Sequence, residues 1–132
     1  MYRITKERFG FGLVFGDSIS PDEMKQWRQE AVRALVGAPR AFGVLIDMRN
    51  LRGKDLDPET QEEIADGIKL FKRAGMLYSC LILDSVAATA QYKRRARESR
   101  GYSHERYINA SVEPNWRTKA FAWLEKQIDP DD

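Results

Sequence analysis

Phe42–Asp47 reads FGVLID, an unbroken apolar run closed by an acid. It is too short for a helix and shows no polar alternation, so it predicts a central strand covered on both faces. Met76–Leu83, MLYSCLIL, repeats the pattern and is again followed by an acid, Asp84. Between the two lies LDPETQEEIADGIKLFKRAG, Leu56–Gly75. Asp57 is placed to cap a helix there, Pro58 suits its first position, the first turn is acidic and the last is basic. Ile64, Ile68 and Phe71 recur on its core face. A buried strand, a helix and a second buried strand make a parallel β-α-β unit.

Toward the start of the chain, Ser20, Pro21 and Glu23 form a capping box for a helix whose Met24, Trp27, Ala31, Ala34 and Leu35 share a face. Gly37 and Pro39 end it. Tyr2–Glu7 and Gly10–Asp17 are expected as strands, with Phe11, Leu13 and Phe15 at period two and a bend or bulge at Gly10 and Gly12. Toward the end, Asp84 or Ser85 caps a third helix that runs to about Arg100, with Gly101 as its stop. Glu105–Ala110 is a last strand, and Glu113–Ile128 a last helix striped by Trp116, Ala120, Trp123 and Leu124. Asp129–Asp132, DPDD, is expected to fray. The predicted class is α/β: one domain over residues 1–132, a mostly parallel mixed sheet with an initial strand pair, and about four helices.

With 22 Lys and Arg against 20 Asp and Glu, net charge +2, any basic surface must be local. Cys80 is the single cysteine, so no disulfide framework or multi-Cys metal site is expected, and a small buried side chain in a reducing interior is. The start MYRITKERFG lacks the apolar core of a secretory signal, and a cytoplasmic protein is expected. Ala74–Tyr92 has Asp84 as its one charge. That acid falls mid-segment, where a membrane span would pay about 2.5–3.5 kcal/mol for it, so two shorter elements meeting at Asp84 are expected instead.

Asp47 and Asp84 stand where open α/β sheets bind ligands, outside the carboxyl ends of strands. They could hold Mg²⁺ or share acid/base work; as plain structure they cap the following turn or helix. No glycine-rich phosphate loop follows a strand, the single His104 builds no metal cluster, and Ser85 with distant His104 makes no nucleophile and base. Neither a cofactor nor a metal is expected, and catalysis is not the expected activity. Gln91–Tyr102, QYKRRARESRGY, carries five cations. On a helix Lys93, Arg94 and Arg97 lie on one exposed side, with Tyr92, Ala96 and Ser99 inward. This is either a solvated face or a binding face for an acidic protein or anionic head groups; nucleic acid is not expected, because no recognition motif accompanies it.

The element order, with GVLIDMRNL (Gly43–Leu51) leading through a loop into Leu56–Gly75, resembles the STAS domain, the anti-sigma-factor-antagonist fold, and its SpoIIAA-like single-domain branch. The resemblance spans nearly the whole chain, and AFAWL, Ala120–Leu124, looks like the branch's final helix. It implies a noncatalytic regulatory or interaction module bound by a protein partner around the second helix, here Asp57, Glu59, Thr60 and Gln61, with Lys93, Arg94 and Arg97 as a second surface. Some relatives are linked to lipid or nucleotide binding, which keeps a small-ligand or lipid-binding protein as the alternative, ahead of a Mg²⁺-dependent enzyme. The signalling members carry an Asp, Ser, Ser or Thr, Gly run whose Ser is phosphorylated. Asp57, Pro58, Glu59 and Thr60 stand at that place, so no phosphate switch is expected there.

Overall fold

The computed structural model describes residues 1–17, 19–51 and 58–132. Five strands, β1 (Tyr2–Glu7), β2 (Gly10–Asp17), β3 (Phe42–Leu51), β4 (Met76–Leu83) and β5 (Glu105–Asn109), alternate after the first pair with four helices. These are α1 (Pro21–Ala34), α2 (Pro58–Ala74), α3 (Val86–Glu98) and α4 (Trp116–Lys126). The strands form one sheet in the order β1-β2-β3-β4-β5, with β1 antiparallel to β2 and every other pair parallel. The α/β class and mixed sheet expected from the sequence are those of the structure.

Because spatial order follows chain order, each crossover steps the same way, and its helix returns to the same side of the sheet. Met24, Trp27 and Ala31 of α1, Ile64 and Phe71 of α2 and Ala96 of α3 therefore share one core with Phe11, Leu13, Phe15, Val44, Ile46 and Tyr107. On the other face, alone among the helices of the described residues, α4 lays Ala120, Trp123 and Leu124 on Leu45, Cys80, Ile82 and Ile108. This is why β3 and β4 are apolar without alternation: both of their faces are covered. Cys80 is fully buried, and burial pushes its thiol pKa up, which keeps it a thiol rather than a nucleophilic thiolate.

Helix starts follow the expected chemistry. Ser20 accepts from the Glu23 amide at 3.1 Å while Glu23 reaches back to the Ser20 amide, and Ser85, not Asp84, caps α3 through the Ala88 amide at 3.2 Å. Pro58 opens α2 as expected; its proposed cap, Asp57, lies outside the described residues.

Four local expectations are corrected. Asp47 does not end β3: pairing with β4 stops there, but past a bulge between Val14 and Gly16 the strand goes on pairing with β2 to Leu51. That bulge is not at Gly10 and Gly12, which pair with Glu7 and Thr5 in an unbroken β1–β2 register. The stop of α3 is Arg100, left-handed at φ 64°, one residue before Gly101, and Ser99 is an exposed helix cap rather than an inward residue. Residues 129–132, expected to fray, lie against the fold. Left-handed Gln127 turns the chain off α4, and Asp129 and Asp131 are held by side chains of β5 and α3.

Candidate functional site

The carboxyl edge of the sheet, where Asp47 and Asp84 were expected to face a ligand, is organised by Arg49. Asp47 and Arg49 are two apart on one strand and so share a face. Arg49 donates Nε to Asp47 Oδ1 at 3.0 Å and Nη2 to Oδ2 at 2.9 Å, and its backbone N–H reaches Oδ1 at 3.1 Å. The guanidinium also lies 4.4 Å from the centroid of the Trp116 ring. Hydrogen bonding to Asp47, with the charges of Asp47 and Asp84, raises the Arg49 pKa against the effect of its partial burial. Both oxygens of Asp47 are thus engaged by a fixed cation where Mg²⁺ would need them. Among the described residues no three His, Cys, Asp or Glu side chains converge as metal ligands would. Asp84 is exposed beside the α3 cap.

The third-helix cations divide. Arg94 and Arg97 are exposed, Arg97 with its guanidinium 4.7 Å from the Tyr102 ring centroid. Lys93 is not free: its Nζ donates to Asp131 Oδ1 at 3.0 Å. The deepest cation here is one the sequence did not single out, Arg106 of β5. It is 8 % exposed, lies 4.1 Å from the Tyr102 ring and 4.2 Å from the Trp123 ring, and donates to both oxygens of Asp129 at 2.9 and 3.0 Å. A signal for it exists in ERYIN, because alternation puts Arg106 on the same face as Ile108, under α4.

Two surface cavities bear on binding. One, about 480 Å³, lies at the amino ends of the strands, lined by Phe9, Phe42, Leu77, Tyr78 and Leu124 with Arg8 and Lys126 beside them. It is at the opposite edge from Asp47, and Lys93, Arg94 and Arg97 do not line it. The other, about 380 Å³, is a groove between α1 and α2 lined by Lys25, Arg28, Gln29, Val32, Glu63 and Leu70. Arg28 bridges the helices with Nη1 at 2.8 Å from Glu63 and 3.6 Å from Asp66, while Lys25 reaches Glu59 in the first turn of α2 at 3.5 Å. Of the residues expected at the start of α2, Glu59 is exposed beside this groove; Asp57 and the side chains of Thr60 and Gln61 lie outside the described residues.

No protein-family model, curated protein or solved structure matches the chain. The geometry and the residues themselves must carry the functional reading. Among the described residues no helix is long and apolar enough to cross a membrane.

Proposed function

We propose that the chain is a STAS-like interaction module that binds a protein partner in the groove between α1 and α2, along the second helix from Glu63 to Leu70. One observation carries this: Val32 stands 51 % exposed in that groove, with Leu70 also lining it, ringed by Lys25, Arg28 and Glu63. An apolar centre with a charged rim of both signs is the anatomy of a protein-binding patch. Nothing in the inner packing needs Val32, which points away from the stripe of Met24, Trp27 and Ala31. The sequence resemblance, which implies a partner around the second helix, supports the same reading. The ties within the Asp47–Arg49 pair favour binding over acid/base chemistry at the carboxyl edge.

The test is capture by the tagged protein in lysate of its native cell, compared with Val32→Glu and Glu59→Lys. A stoichiometric partner retained by the parent, lost with Val32→Glu and weakened by Glu59→Lys is expected. A partner indifferent to both changes would place binding elsewhere. Phosphopeptide mapping of the same material should find Thr60 unmodified, since Pro58 and Glu59 replace the phosphoacceptor run.

The trough at the amino edge favours a second reading, a small ligand with an apolar body and an anionic group. Its volume falls in the range of ligand sites, roughly 300–1,000 Å³. Arg8 and Lys126, rather than the cations of α3, would meet the charge. Native mass spectrometry of freshly purified protein would show the retained mass, and bare protein would remove the tight-binding form of this reading.

A further inference from the structure

Lys93 of α3, Tyr102 in the turn after it, and Arg106 of β5 converge beside Trp123, and the chain's own Asp129–Pro130–Asp131 lies on them. Two carboxylates at alternate positions are read separately. Asp129 takes both arms of the Arg106 fork at 2.9 and 3.0 Å, while Asp131 takes Lys93 Nζ at 3.0 Å and the Tyr102 hydroxyl. The receiving side is fixed in advance. Arg106 sits between two aromatic rings, and its remaining arm donates to the backbone carbonyls of Tyr102 and Glu105. A planar fork held this way is preorganised for a carboxylate.

The occupying segment is shallower than the site. It belongs to no helix or strand, the Asp129 and Asp131 side chains are 27 % and 24 % exposed, and Ile128 just before them stands 57 % exposed. If the segment lifted with nothing in its place, Arg106 would lose two charge-assisted hydrogen bonds, with only water to replace them. Exchange of one carboxylate pair for another leaves the buried cation paired throughout. A deep, rigid cationic site under a shallow acidic plug is therefore built for exchange.

We propose that the Lys93–Tyr102–Arg106 cleft is a recognition site for an acidic peptide segment of a partner protein, with carboxylates at alternate positions, and that Asp129–Asp131 occupies it in cis as a stand-in. The tethered segment competes at high effective concentration, so it lowers the apparent affinity for a peptide by the fraction of molecules with the cleft open. The site is separate from the α1–α2 groove and does not depend on it.

The probe is a fluorescein-labelled peptide with the chain's own 127–132 sequence, QIDPDD, titrated by anisotropy against the parent protein and Asp129→Asn/Asp131→Asn. Removing the internal competitor should tighten peptide binding at least about tenfold, and added salt should weaken it. Arg106→Gln in the same background should abolish binding, and a peptide with Asn for each Asp should not bind. If circular dichroism shows the double variant unfolded, Asp131→Asn alone opens the outer half of the cleft and should give a gain of about threefold. No gain in a folded variant, or equal binding of the neutral peptide, would overturn the proposal. So would variant binding to phosphatidylserine vesicles without binding to the peptide.

Discussion

A side chain at Gly67 would stand where Trp27 already is: a Cβ built there falls 1.8 Å from the indole ring. Helix propensity alone favours Ala over Gly by about 1 kcal/mol, so an exposed glycine inside α2 would be a defect. Here the close approach of α1 and α2 over a fully buried Trp27 decides against propensity. We expect Gly67→Ala to destabilise the protein by about 2 kcal/mol in urea unfolding, because overpacking a rigid core outweighs the propensity gain. Unchanged or increased stability would mean that α1 and α2 do not meet at this distance. Trp27 itself was legible in the sequence as a core residue, from its place on the stripe of α1. The need for Gly67 was not, since it depends on which two helices are neighbours and at what spacing. Asp47 is an intermediate case. Its partner Arg49 is only two residues on and shares its face by strand alternation, so the pair was readable once β3 is known to continue past the acid.

At the scale of elements, α3 shows why a basic run on a helix is an ambiguous signal. Its periodicity correctly placed Ala96 inward and Arg94 outward. What periodicity cannot see is a partner 38 residues away, and Asp131 is such a partner for Lys93. The three cations expected to be equivalent therefore differ. Lys93→Gln should cost about 1 kcal/mol, whereas Arg94→Gln, exposed and outside every ion pair of the described residues, should change stability by less than about 0.5 kcal/mol. Chemical denaturation of the two single variants checks this, and equal costs would contradict the pairing. The same blindness to distant contacts hid Val32, an apolar residue on the otherwise polar side of α1 whose exposure matters only because Leu70 of α2 borders the same groove.

For the whole molecule, near-neutrality is not an even spread of charge but a set of answers across the fold: Asp47 to Arg49, Glu63 to Arg28, and Asp129 and Asp131 to Arg106 and Lys93. Element order was readable because local periodicity and caps specify it. The contacts of the closing segment were not readable, because DPDD has no apolar anchor and the cations it meets are supplied by α3 and β5. Those contacts have a defined pH dependence. Hydrogen bonds from Arg106, opposed by burial and aided by the Asp131 amide and the charges of Arg106 and Lys93, hold the Asp129 carboxyl below its ordinary value. A depressed carboxylate contributes stability above the unfolded pKa, about 3.9 for Asp, and loses it as pH falls through the lowered folded value. Docking should thus be unchanged from pH 7 to about 5 and fail only in acid below about 4.

The most direct measurement is backbone ¹⁵N relaxation of residues 129–132 at neutral pH, in the parent protein and in Arg106→Gln. The docked segment should give order parameters near those of rigid backbone, about 0.85, in the parent and fall below about 0.6 in the variant. Values below about 0.6 in the parent, or values indifferent to Arg106→Gln, would contradict the claim that the acidic segment is held on the cationic cleft.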